Sequence, residues 1–196
     1  SICVLPVTES SASSFGLLKV DETSRIVEFS EKPKGDALRH FKIDTTHFGL
    51  TPDQAAQKPY LASMGIYLFN RKALHSALFD NPHLNDFGKQ VIPEAIQKFK
   101  VHSYLFNEYW EDIGTIRAFF EANLSLCQRH PPFQLFHPTR PIYTRQRNLG
   151  GSTVLDSHIS GSIINDGCLI KKATVKNSVV GLRSTLHDDC IVEDSL

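Results

Sequence analysis

The sequence predicts an α/β domain followed by a parallel β-helix, and three observations predict it. Short apolar runs of strand length alternate with stretches of helical periodicity as far as about residue 130. Residues 130–152 then collect Pro131, Pro132, Pro138, Pro141 and the Gly150-Gly151 pair, which interrupt any regular element. From residue 153 the apolar positions Val154, Ile159, Ile164, Ile170, Val175, Val180, Leu186 and Ile191 recur every five or six residues, with small and polar residues between them. So short a period is that of hexapeptide coils stacked into a parallel β-helix, and helical periodicity is missing there.

Taken in order, residues 15–33 predict two strands joined by a tight turn. Phe15-Gly16-Leu17-Leu18-Lys19-Val20 is the first and Asp21-Glu22-Thr23-Ser24 is turn chemistry. The second alternates through Ile26, Glu28 and Ser30 against Val27 and Phe29, and Pro33 and Gly35 end it. Met64-Gly65-Ile66-Tyr67-Leu68-Phe69 is a continuous apolar run, predicting a strand buried on both faces. Helices are predicted over 72–79 and 89–99, with Pro93 marking the first turn of the second. The clearest helix is 115–127: Ile116, Phe119, Phe120, Leu124 and Cys127 fall on one apolar stripe, read as core. The predicted domains are therefore 1–130 and 153–196, with 131–152 as the linker.

Composition narrows the function classes. With 41% hydrophobic and 21% charged residues the chain has the make-up of a folded globular protein. A formal net charge of zero supplies no field to gather nucleic acid or an anionic membrane, so any anion site is local. No apolar run approaches the roughly 20 residues that span a bilayer. Cys3, Cys127, Cys168 and Cys190 stand far apart, which provides neither closely spaced zinc ligands nor a disulfide framework and favours a reducing compartment. The chain opens directly in the apolar run Ile2-Cys3-Val4-Leu5-Pro6-Val7 and stops inside the coil pattern, so it is read as an internal piece.

Several residues can carry chemistry, each with a plain structural alternative. Lys32 in Glu31-Lys32-Pro33 sits at a strand end, where α/β proteins bind ligands; its compact cation suits a phosphate. A solvated surface lysine has the same signature. Asp112 in Trp110-Glu111-Asp112-Ile113-Gly114-Thr115 precedes the strongest helix and can hold Mg²⁺, or act as a cap favoured by the helix dipole. Asp86 in Asn85-Asp86-Phe87-Gly88 also fits a helix cap. Ser63 can donate to a sugar hydroxyl or be an ordinary strand serine, and Trp110 can be core.

In combination the motifs say more. Phe15-Gly16-Leu17, Glu31-Lys32-Pro33-Lys34-Gly35, Ala62-Ser63-Met64-Gly65-Ile66-Tyr67, Asn85-Asp86-Phe87-Gly88, Tyr109-Trp110-Glu111-Asp112-Ile113-Gly114-Thr115 and Phe120-Glu121-Ala122-Asn123-Leu124 occur in that order. With Pro141-Ile142-Tyr143-Thr144 and Ser178-Val179-Val180-Gly181-Leu182-Arg183-Ser184, they strongly resemble the ADP-glucose pyrophosphorylase family across essentially the whole chain. The plant, algal and cyanobacterial branch is the nearest. The resemblance implies the C-terminal part of a Rossmann-like nucleotidyltransferase domain followed by the start of a left-handed parallel β-helix. It implies an enzyme that makes ADP-glucose and pyrophosphate from ATP and glucose-1-phosphate with Mg²⁺, the first committed step of starch or glycogen synthesis. A homo- or heterotetramer of large and small subunits is implied as well, in the plastid stroma, or in the cytoplasm if cyanobacterial.

Residue by residue, the resemblance makes Lys32 the ligand of the sugar phosphate, and Glu31, Ser63, Asp86 and Trp110 the glucose site. Asp112 becomes one of two aspartates holding Mg²⁺. Arg147, in Tyr143-Thr144-Arg145-Gln146-Arg147, resembles an effector-site arginine for phosphate or 3-phosphoglycerate, although Gly150-Gly151 stand where the family commonly has two prolines. The family's glycine-rich phosphate loop does not occur in these 196 residues, so this stretch by itself is expected to be inactive. Three alternatives stay open: a pyrophosphorylase for another nucleotide sugar, a regulatory subunit without catalysis, and a β-helix acyltransferase, which the α/β half argues against.

Overall fold

The computed structural model describes all 196 residues, and the chain divides into two units, Ser1–Glu108 and Tyr109–Leu196. The first is built on a five-stranded sheet. Its strands are β1 (Ile2–Val7), β2 (Gly16–Val20), β3 (Ile26–Glu31), β4 (Tyr60–Tyr67) and β5 (Ser103–Leu105), in the spatial order β3-β2-β4-β1-β5. The sheet is mixed: β1 runs parallel to β5, while the β1–β4, β2–β3 and β2–β4 pairs are antiparallel.

Side chains alternate between the two faces, and each face has its own cover. On one, Ile2, Val4, Leu18, Ile26 and Leu61 pack with Ile92 and Ile96. These last two belong to a helix that begins as a π-helical turn, Phe87–Val91, and continues as α5 (Ile92–Lys98). On the other face, Val7, Leu17, Tyr60 and Ala62 meet Ala12 of α1 (Glu9–Ala12), Leu38 of α2 (Asp36–His40) and Phe41 just after it. Leu18, Ile26 and Leu61 are completely buried, each contributing about 1.5–3 kcal/mol of apolar transfer. Two further helices, α3 (Pro52–Gln57) and α4 (Arg71–Phe79), complete this unit. A Thr51–Gln54 capping box starts α3, and the Asn70 side chain, accepting from the Lys72 N–H, starts α4.

The β2–β3 hairpin forms as the sequence predicts. The Asp21 carboxylate accepts from the Thr23 N–H and hydroxyl and from the Arg25 N–H, and the Thr23 hydroxyl bond leads in holding its pKa below the usual carboxylate value. Pro93 falls within the first turn of α5, also as predicted.

The apolar run at 64–69 is a correction. The stretch buried on both faces is Tyr60–Met64, upstream of it, whereas Ile66 and Leu68 are 50% and 76% exposed. Only the first part of β4 lies between two neighbouring strands. Past it, Gly65 adopts φ 72° and the register with β1 slips, so that two steps of β1 (Ile2 to Val4) face four of β4 (Ser63 to Tyr67).

In the second unit, α6 (Ile116–Ser125) starts at Thr115, whose hydroxyl accepts from the Ala118 N–H. Its stripe is not the predicted core: Ile116 is 91% and Phe119 49% exposed, and no residue of the helix is buried. Periodicity identifies the apolar face of a helix, but what covers that face is a tertiary matter. Cys127, just beyond the helix, donates its thiol to the Ser178 carbonyl at 3.5 Å, and burial raises its pKa. Residues 126–152 contain no helix or strand.

The remaining strands, β6 (Thr153–Leu155), β7 (His158–Ser160), β8 (Ile163–Ile164), β9 (Leu169–Lys171), β10 (Thr174–Lys176), β11 (Val179–Val180), β12 (Thr185–Leu186) and β13 (Ile191–Glu193), stack in parallel on three faces, β6-β9-β12, β7-β10-β13 and β8-β11. Val154 lies over Ile170 over Leu186, Ile159 over Val175, and Ile164 over Val180, an offset of 16 residues each time. The last member of the repeat is corrected. Val175 pairs with Val192, an offset of 17, and Ile191 points outward, 72% exposed. One extra residue in the turn after Leu186 shifts the register and flips the following side chains.

At the corners Ser152, Ser157 and Ser162 accept from the N–H groups of Cys168, Ala173 and Ser178 one coil on. Asp156, Gly161, Gly167, Lys172, Asn177, Arg183, Asp189 and Asp194 all take left-handed backbone there. All four cysteines are free, and no helix is long and apolar enough to cross a membrane.

Candidate functional site

The first unit brings Glu31, Lys32, Ser63 and Asp86 to the framework of one sheet. Glu31 ends β3 opposite Gly16 at the start of β2. Leu17 pairs with Ala62 and Val4 with Ser63, so Glu31, Gly16, Ser63 and Val4 form one row across the strands. Residues directly opposite share a face, which here is the face covered by α5. Ser63 is 7% exposed, and its Oγ accepts from the Gly65 N–H at 3.3 Å.

Lys32 leaves the sheet abruptly. It has φ 49° at the position before a proline, where extended backbone is preferred, and such a conformation costs roughly 1–3 kcal/mol. The Lys32 N–H donates to the Phe15 carbonyl at 3.1 Å and Pro33 is buried, so contacts on both sides hold the turn. The Lys32 side chain is exposed and makes no ion pair, which leaves its ammonium available to an external anion.

Asp86 caps the π-helical turn: its carboxylate accepts from the Lys89 N–H at 2.7 Å, and Gln90 Oε1 accepts from the Asn85 and Asp86 N–H groups. Phe87 stacks on Tyr67 at 5.9 Å between centroids and meets Phe69 edge-on at 6.2 Å, fixing the turn against β4. In the same turn, Gly88 lies against Glu31: a Cβ at residue 88 would come within 2.7 Å of the Glu31 Oε2. The cap alternative for Asp86 is therefore real, and it places the residue beside the helix turn that touches Glu31.

Trp110, Asp112 and Arg147 belong to the second unit. Asp112 is exposed and Trp110 half-buried, just ahead of the Thr115 cap; Arg147 is exposed in the segment without regular structure. No group of three or more His, Cys, Asp or Glu side chains anywhere in the chain is arranged to hold a metal ion.

Residues 1–129 match the model of the nucleotidyl transferases. The chain belongs to that family. Residues 147–196 match the GLGC left-handed parallel β-helix domain. The nucleotidyl transferase span runs past the boundary at residue 108 set by the chain's own contacts, so Trp110 and Asp112 lie inside the matched span and also in the second unit. A nucleotidyl transferase moves a nucleotidyl group onto an acceptor, and an unpaired lysine at a strand end can hold an anionic one.

Two residues of this site were not singled out by sequence reasoning. Gly16 and Gly88 fall inside quoted motifs, and a signal for them existed: a glycine at a strand start and one in the opening turn of a helix both weaken those elements.

Proposed function

We propose that this nucleotidyl transferase chain is part of an ADP-glucose pyrophosphorylase, which makes ADP-glucose and pyrophosphate from ATP and glucose-1-phosphate. The observation that carries it is Lys32: an unpaired ammonium on a strained turn at the end of β3, next to the Glu31 carboxylate, in a chain that also has a GLGC-type β-helix. A phosphate oxygen of glucose-1-phosphate attacks the α-phosphorus of ATP, the bond to the bridging oxygen breaks, and pyrophosphate leaves. Lys32 neutralises the acceptor phosphate so that two anions can approach, while Glu31, Ser63 and Asp86 of the same unit orient the glucose hydroxyls. Catalysis is alignment and charge neutralisation without a covalent enzyme intermediate.

Asp112 fits a magnesium ligand. Its exposed carboxylate makes no ion pair, and a side chain at Gly114 would crowd it, with a Cβ 3.2 Å from Oδ2 and 3.3 Å from Oδ1. No cluster of three protein ligands surrounds it, so Asp112 would be one protein ligand of an ion that usually keeps several waters. A Mg²⁺ ion held by Asp112 would supply charge neutralisation for the leaving pyrophosphate. Arg147 is proposed to bind phosphate or 3-phosphoglycerate as an effector, in a homo- or heterotetramer located in the plastid stroma, or in the cytoplasm of a cyanobacterium.

The test is Lys32→Ala in the full-length parent, followed by pyrophosphate release with ATP, glucose-1-phosphate and Mg²⁺. Losing a charge-assisted contact should raise KM for glucose-1-phosphate by about 10- to 100-fold with little change for ATP. An unchanged KM removes Lys32 from the site. Turnover of the wild-type parent with a different sugar 1-phosphate in preference would replace the proposed substrate.

A further inference from the structure

We propose that Gly16 and Gly88 are positioning residues of the sugar-phosphate site: together they form a slot that sets where the Glu31 carboxylate lies. The inference rests on the reading of Glu31 as a sugar ligand. Of the eleven glycines, five use a positive φ, at residues 35, 49, 65, 161 and 167, and backbone geometry explains those. Gly16 and Gly88 do not. What sets them apart is space: they alone would place a Cβ closer than 3.0 Å to another atom.

At Gly88 the added carbon would lie 2.7 Å from Glu31 Oε2, 3.0 Å from Cδ and 3.3 Å from Cγ. At Gly16 it would lie 2.8 Å from the same Oε2 and 2.6 Å from Phe29 Cζ. One carboxylate oxygen is thus bounded by two glycines from different elements, one across the β2–β3 ladder and one on the helix turn capped by Asp86. Glycine costs stability at both places, since it weakens a strand and a helix alike. The return is a defined position for the carboxylate.

The two sites differ in what must move. An alanine at 88 meets only the Glu31 side chain, whose flexible end can swing away while the backbone stays. An alanine at 16 also meets the Phe29 ring, which packs against the buried core. Gly88→Ala is therefore the informative variant, because it displaces the carboxylate and spares the fold.

The experiment is a cycle in the full-length parent: wild type, Gly88→Ala, Glu31→Ala and the double variant, with Gly181→Ala as control, where the nearest atom is Ser184 Oγ at 3.9 Å. Two readouts are taken. In thermal denaturation Gly88→Ala should raise the midpoint in the Glu31→Ala background, where only the better helix propensity is felt, and fail to raise it when Glu31 is present. In ADP-glucose synthesis, Gly88→Ala should raise KM for glucose-1-phosphate on the order of tenfold, with kcat and the KM for ATP moving less. In the Glu31→Ala background it should add no further rise. Equal effects of Gly88→Ala on the midpoint in both backgrounds overturn the slot. Coupled midpoints with an unchanged KM make it a packing feature only and also overturn the proposal. A wild-type parent that makes no ADP-glucose sinks the functional reading, and the slot's role in it, while the midpoints still report whether the glycines and Glu31 touch.

Discussion

Lys32 and Lys172 share a backbone conformation, φ 49° and 46°, yet stand in regions where it means different things. In the β-helix, left-handed residues recur at the corners of successive coils, and Lys172 is one of them. Its N–H donates to the Leu155 carbonyl at 2.9 Å, and its ammonium reaches Asp188 at 3.6 Å. In the first unit the conformation is nearly solitary. Besides Lys32, only Ser24 in the β2–β3 turn has it among non-glycine residues, and the Lys32 ammonium is unpaired. Strain that repeats belongs to the architecture; strain that interrupts a regular sheet is a candidate for function. The regions also hold together differently. The β-helix rests on one short stack of inward side chains and a backbone ladder, whereas the sheet has two covered faces.

The sharpest way to break this contrast is Ile170→Ala. Ile170 is fully buried between Val154 and Leu186, and the truncation should cost about 2–5 kcal/mol, measured by denaturation of the β-helix unit. A loss below about 1 kcal/mol would mean that adjacent coils collapse onto the gap and that the stack is less specific than its register implies. A smaller effect is expected at the corner. Lys172→Gly relieves left-handed strain but frees the unfolded chain and removes an exposed ion pair, so stability should stay within about 1 kcal/mol of wild type. A loss well beyond that would show that the Lys172 side chain, and not its backbone, holds the corner.

The smallest effect concerns pH in the first unit. Glu28 has its pKa held below the usual value of 4.5, first by the hydrogen bond from His40 at 2.6 Å and then by Lys19. A carboxylate with a depressed folded pKa adds stability above its unfolded pKa and loses it as pH falls through the folded one. The contribution is thus present at neutral pH and disappears below pH 4.5. Because the group is largely exposed, it is worth under about 1 kcal/mol. Glu28→Gln should flatten the acid side of the stability profile by that amount, and an unchanged profile would show that this contact adds nothing.

Much of the fold was legible from local pattern. The hairpin at 15–33 declared itself through Asp21 and the flanking alternation, α4 through its periodicity, α5 through Pro93, and the β-helix through its short repeat. The failures share a cause. Met64–Phe69 and the α6 stripe were read as buried because they are apolar, but burial depends on which elements arrive to cover them. Ile191 keeps the average spacing of the repeat, but a single extra residue in a turn puts Val192, not Ile191, opposite Val175. In the site, Lys32 and Glu31 were visible as chemistry, while Gly16 and Gly88 carry no chemistry and were passed over.

The sequence by itself determined the order of the two folds and the identity of the strand-end lysine, because each is written in local spacing and residue type. Tertiary structure decided the rest. It set which part of β4 lies between neighbours, that Val192 and not Ile191 pairs with Val175 in the last coil, and that two glycines distant in sequence converge on one carboxylate. The physical reason is that excluded volume acts only between atoms that folding has brought together, and the space left by a missing side chain cannot be read along a chain.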